Sequence, residues 1–169
     1  MDNFFRSIIE DINEEELSHK YKVGQFDPNL IKISTDQTPF FAYDFLNFDI
    51  ADFSFHHPDF LHGDYKIYFS KVKKISKIPM NDLINNYRHS EHFHINPPNQ
   101  KMRELLMEIF GKSRLRPNET PDVGQFHLYT SNDGSGKAPR IHFFVGPLAV
   151  FYIILYDPYH QIYPIKPQS

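Results

Sequence analysis

Nine of the ten histidines fall between His56 and His160, and the last third of the chain sets several of them beside basic and phenolic side chains. Arg140, His142, His160 and Tyr163 lie within one short stretch. A guanidinium can neutralise a scissile phosphate, and an imidazole, with an ordinary pKa of about 6.5, can take and give protons at neutral pH. These four are the candidate catalytic residues for phosphodiester cleavage. His127 and Tyr129 join them if the neighbouring strand pairs so that these side chains share a face. Together with Lys73, Lys74, Arg114 and Arg116, they form the candidate substrate-binding set. An ordinary solvated sheet also carries basic and aromatic residues, so spacing alone leaves both readings open.

Two other histidine groupings have the ligand types for a metal. His89, His92 and His94 form one; His56, His57 and His62 with Asp59 and Asp64 form the other. Imidazole and carboxylate suit zinc, manganese or iron, but the spacings match no established ligand motif, and no metal or other cofactor is expected. With no cysteine, thiolate sites and disulfides are excluded. Arg88 and His94 have the loose spacing used by the all-helical HEPN ribonucleases. Pro97-Pro98 and the β-prone Phe93-His94-Ile95 argue against a helical bundle there. Glycine-rich phosphate loops, a Rossmann fingerprint and serine or cysteine nucleophile motifs are all absent from the sequence.

The elements that must position these residues centre on residues 140–163, RIHFFVGPLAVFYIILYDPYHQIY. Ile141, Phe143 and Val145 alternate with Arg140, His142 and Phe144, which predicts a strand with one buried and one reachable face. Gly146-Pro147 breaks the run. Residues 148–156 are apolar on both faces and should lie inside the sheet, covered on both sides, until Asp157-Pro158 ends the strand. A further strand is expected over 124–131 and a last short one over 161–165.

Helical spacing of Tyr65, Tyr68, Phe69, Val72 and Ile75, interleaved with lysines, predicts a basic helix after Gly63, and Pro79 opens a second, shorter one over 79–86. A third spans 99–110, capped by Asn99 and closed by Gly111, with Met102, Leu105, Leu106, Ile109 and Phe110 as its stripe. Upstream, residues 3–17 read as an amphipathic helix and 20–34 as a short hairpin. Residues 38–60 carry eight aromatic side chains among aspartates, a density that must be folded into the sheet or laid over a groove.

At 169 residues and 40% hydrophobic, the chain can bury a full core as one unit, divisible by charge. Residues 1–64 hold 4 Lys+Arg against 13 Asp+Glu, a net −9, whereas 65–169 hold 14 against 8, a net +6. This suggests a basic working surface preceded by an acidic segment that masks it, or two halves that simply attract. RNA or the ribosome is the expected partner of the basic half, and the apolar stripe of the N-terminal helix packs either on its own domain or on a partner protein. No apolar run is long enough for a membrane span and the N-terminus lacks signal-peptide character, so a cytoplasmic location is expected.

The order of elements carries a resemblance. Basic helices, then GQFHLY, the arginine-led PRIHFFVG, the apolar FYIILYD and a closing HQIY resemble RelE/ParE-superfamily toxins over about residues 65–166. That resemblance implies a small antiparallel sheet on two or more helices and, for many members, mRNA cleavage on the ribosome. Arg140 would match the arginine of the family's second strand, and His160 and Tyr163 its terminal histidine and tyrosine. The expected fold is therefore α+β: a small, mainly antiparallel sheet with helices on one face and an acidic, aromatic N-terminal extension. The expected function is a toxin-like, metal-independent endoribonuclease or RNA- or ribosome-binding protein. A non-catalytic, protein-binding accessory factor of a mobile element or phage-defence system is the alternative.

Overall fold

The structure, a computed structural model, describes residues 37–86, 92–111 and 121–164. The helix expected over 3–17, the hairpin over 20–34, and Arg88, His89, Arg114 and Arg116 lie outside the described residues.

The chain forms β1 (Phe40–Ala42), α1 (His62–Ile75), α2 (Met80–Asn85), β2 (His94–Asn96), α3 (Gln100–Phe110), β3 (Val123–His127), β4 (Arg140–Gly146) and β5 (Val150–Asp157), an α+β fold. The five strands make one sheet in the order β1-β5-β4-β3-β2. β2, β3, β4 and β5 pair antiparallel in turn, but β1 joins β5 parallel, with Phe40 opposite Val150. The sheet is thus mixed rather than mainly antiparallel. The strand that makes it so comes from the aromatic segment far upstream, where no hairpin fixes the pairing direction.

Helices cover both faces rather than one. Ile141, Phe143, Phe126, Phe151 and Ile153 pack with Tyr68 and Ile75 of α1 and Leu83 of α2. Phe144, Val123, Tyr152, Ile154 and Leu155 pack with Met102, Leu105 and Leu106 of α3. Two-sided cover follows from β4 and β5, whose apolar residues point both ways and need a partner layer on each side. α3 is placed by its ends. The Asn99 side chain accepts from Met102 N at 2.8 Å and donates to Ile162 O at 2.6 Å, and Gly111 leaves the helix at φ 79°.

A bulge interrupts the β4–β5 ladder between His142 and Phe143: His142 faces Leu155, whereas Phe143 faces Ile153. The extra residue, Ile154, resets the alternation of β5, so Ile154 and Leu155 both enter the α3-side core and Tyr156 turns to the other. Asp157 consequently falls on the α3 side, the side of Arg140 and His142.

No strand forms over 161–164. Both edges of β5 are already taken, by β1 and β4. The chain turns instead at His160, whose φ is 55°, and Asp157 accepts the backbone N–H groups of Gln161 and Ile162 at 2.9 and 2.8 Å.

Candidate functional site

Strand register brings His127, Arg140 and His142 to one corner of the sheet. His127 stands opposite Arg140, Gln125 opposite His142, and Arg140 opposite Asp157. Side chains at 125, 127, 140 and 142 share the α3 side with Val123 and Phe144. The segment after β5 closes over them. Tyr163 lies with its ring centroid 5.9 Å from that of His142, and His160 is within electrostatic reach of Arg140, Asp157, His142 and His92. His92 meets His127 edge-on at 4.6 Å. Both His92 and His160 hold left-handed backbone, φ 46° and 55°, a conformation that costs a non-glycine residue about 1 kcal/mol and is enriched at functional sites.

This corner is covered. Arg140 is 5% exposed and His142 fully buried, so the face expected to be reachable lies beneath α3 and the tail. Arg140 Nη1 donates to the Ala138 and Pro139 carbonyls at 2.9 and 3.2 Å. His142 Nε2 sits 3.8 Å from Asp157 Oδ2, a contact too long for a hydrogen bond. Arg140 Nε, both His142 nitrogens, His160 Nε2, the Tyr163 hydroxyl and Gln125 Oε1 are buried with no hydrogen-bond partner among the described residues. Six such atoms in one corner is a concentration of unmet polar capacity that an ordinary core avoids.

Electrostatics follow from this burial. Desolvation, reinforced by the Arg140 guanidinium, pushes His160 down to about 4, so its imidazole is neutral at physiological pH. Burial alone would raise Asp157, but adjacent His142 and the Gln161 and Ile162 N–H groups outweigh it and hold the carboxyl low. Burial pushes the Tyr163 phenol up to about 12 and lowers Arg140 against the pull of Asp157.

His160 sets a pH dependence whose sign is fixed. Its folded pKa of about 4 lies below the unfolded value of 6.5, so its contribution is complete above pH 6.5 and is lost as pH falls from 6.5 towards 4. Because the ring is only half-buried, the expected loss between pH 7.5 and 4.5 is about 1–2 kcal/mol after solvent screening. Urea denaturation across that interval measures it, and His160→Gln should flatten the slope; an unchanged slope in the variant overturns the assignment.

No protein-family model, curated protein or solved structure matches this chain.

Of the substrate-binding candidates, His127 belongs to the corner, whereas Tyr129, Lys73 and Lys74 do not. The Tyr129 ring packs against the α1-side core, and its hydroxyl donates to Asp64 Oδ1 at 2.5 Å. Asp64 also receives Lys137 Nζ at 2.7 Å and Leu61 N at 2.9 Å. Lys137 donates to Asp59 O and the Tyr159 hydroxyl to the Asp59 carboxylate, tying the loop before α1 to the β3–β4 connection and the turn after β5. Burial acts to raise Asp64, yet the contacts with Lys137 and Tyr129 leave it lowered. Lys73 and Lys74 are exposed in the last turn of α1, on the opposite side of the sheet from Arg140.

No group of three or more His, Asp or Glu among the described residues is arranged to hold a metal ion. The Asp59 and Asp64 carboxylates contact Tyr159 and Lys137, respectively. No helix among the described residues is long and apolar enough to cross a membrane.

Sequence reasoning missed Asp157 and Gln125 as members of the corner, and Lys137 as the partner of Asp64. Asp157 was readable only as a strand-ending Asp-Pro pair. Its approach to His142 depends on the bulge at Ile154, for which the sequence carries no signal.

Proposed function

We propose that this chain acts on RNA as a toxin-like endoribonuclease that works through its own side chains. The supporting observation is the convergence of His127, Arg140, His142, His160 and Tyr163 in one corner, with Asp157 set against His142. In this reading the neutral His160 imidazole takes the proton of a ribose 2′-hydroxyl, and the freed oxygen attacks the adjacent phosphorus. The 5′-oxygen leaves with a proton from His142, which Asp157 faces at 3.8 Å, and a cyclic phosphate results. Arg140 offsets the charge that builds on the phosphoryl oxygens, and Tyr163 positions the RNA. Arg140 and His142 are covered, so substrate entry requires the 158–163 segment to lift from its anchors on Asp157 and Asn99.

The setting, a toxin–antitoxin or phage-defence system acting at the ribosome, rests on the RelE/ParE resemblance in the order of elements. Growth arrest on expression in a bacterial host is the expected consequence. The decisive assay is cleavage of a labelled RNA by the purified chain with EDTA present: wild type should cut, and His160→Ala should cut at least about 100-fold more slowly. Wild-type activity in a variant lacking both His142 and His160 sinks the reading. Burial of Arg140 and His142 favours a second reading, a non-catalytic binding protein in which the corner is structural. On that reading RNA stays intact and both histidine variants lose stability instead.

A further inference from the structure

We infer that α1 carries a platform for single-stranded RNA, formed by the row Leu61, Tyr65, Phe69, Lys73 and Lys77. This row deepens the RNA-directed reading above and rests on it for the choice of polyanion.

These residues recur every four positions, so they follow one ridge of α1 from its N-cap to just past its end, about 6 Å apart along the axis. Leu61, Tyr65 and Phe69 are 58, 42 and 58% exposed, although α1 buries Tyr68 and Ile75 in the core a short rotation away. Three large apolar side chains in an uninterrupted exposed row are costly to leave in water. The rings are also held in place: Tyr65 lies on Phe60 with centroids 4.2 Å apart, and Phe69 packs edge-on against Tyr68 at 5.1 Å. One face of the Tyr65 ring is thus backed, leaving the outer face to take a base.

Charge selects the occupant. Residues 61–78 contain five lysines and one carboxylate, Asp64, which is buried and paired with Lys137 at 2.7 Å. Beyond the apolar row, the Asp, Glu, Lys or Arg side chains exposed on α1 and just past its end are all lysines, with Lys66, Lys73 and Lys77 exposed along or beside the row. Positioned aromatic faces continued by a line of lysines combine base stacking with phosphate neutralisation, the two contributions by which single strands are bound without regard to sequence. A duplex keeps its bases stacked on one another and can use only the lysines. The inference thus separates single-stranded from double-stranded RNA, and it places strand binding on the opposite side of the sheet from the His142 corner.

The test is fluorescence anisotropy of the full 169-residue chain with a labelled single-stranded 2′-O-methyl oligoribonucleotide, which has no free 2′-hydroxyl to be cut, compared with the same strand in a duplex, over a salt series. Wild type should prefer the single strand. Phe69→Ser should weaken single-strand binding about tenfold and leave duplex binding unchanged. Lys73→Glu with Lys77→Glu should weaken both and lower the salt slope by at least about 1.4. All three positions are exposed, and unchanged thermal melting confirms that the variants fold. Equal affinity of wild type and both variants overturns the inference, as does equal affinity for strand and duplex. Light scattering that finds a wild-type dimer dispersed by Phe69→Ser overturns it too, because the row then seats a second copy. Strand binding that depends on the row while no form of the chain cuts RNA upholds the platform and sinks the ribonuclease reading. Cleavage by a wild type whose affinity the row variants leave unchanged does the reverse.

Discussion

Replacing Asp157 with alanine is expected to destabilise the fold by about 3–5 kcal/mol, the range for removing one partner of a buried charge pair. Asp157 is fully buried at the end of β5, with Arg140 opposite in the ladder and His142 Nε2 3.8 Å away. Its two oxygens accept the Gln161 and Ile162 N–H groups. Alanine leaves both donors without an acceptor and removes the anion that offsets a guanidinium only 5% exposed. Asp157→Asn keeps the shape and one acceptor oxygen but loses the charge, so it should fall between wild type and Asp157→Ala. Urea denaturation at pH 7 orders the three. Equal stability of all three would mean that the carboxylate does not organise the corner. The wild-type advantage should also shrink in acid, because the lowered Asp157 pKa contributes above the ordinary carboxylate range and is lost as pH falls below about 4.

The second large effect lies across the sheet. Phe143 is fully buried, stacks on Phe151 at 4.3 Å, and contacts Phe93 and Phe126 at 5.5 and 6.0 Å. Phe143→Ala is expected to cost about 3–5 kcal/mol. Gly124, its partner in the β3–β4 ladder, has no room for a methyl group, since an added Cβ would fall inside the Phe143 ring. Gly124→Ala should therefore cost about 1–3 kcal/mol by overpacking. The two changes relieve one another, because the clash disappears with the ring, so the double variant should be more stable than the sum of the singles predicts. Strict additivity in denaturant midpoints would show that the glycine matters for some reason other than this contact.

Helix patterning was legible because it is local. The lysine-interleaved spacing after Gly63, Pro79 ahead of α2, and the Asn99 and Gly111 boundaries of α3 each express backbone chemistry within a few residues, and α1, α2 and α3 follow them. The β3, β4 and β5 runs were legible for the same reason, and so was the need to cover β5 on both sides. The parallel partner of β5 was not, since β1 lies more than a hundred residues upstream and only tertiary packing chooses its direction. The strand expected after His160 did not form because β5 is already flanked by β1 and β4, and Asp157 and Asn99 hold the following residues in a turn.

Residue types alone determined which groups at this corner can do chemistry: the guanidinium of Arg140, the imidazoles of His127, His142 and His160, and the phenol of Tyr163. Tertiary structure decided three things that no local pattern contains. Register set His127 against Arg140, the turn at His160 folded Tyr163 over His142, and the bulge at Ile154 reversed the alternation of β5. Unbroken alternation would have left Asp157 on the α1 side with Phe151 and Ile153. One extra residue in the ladder carries it to the α3 side instead, against His142, because a period of two turns a single insertion into a change of face.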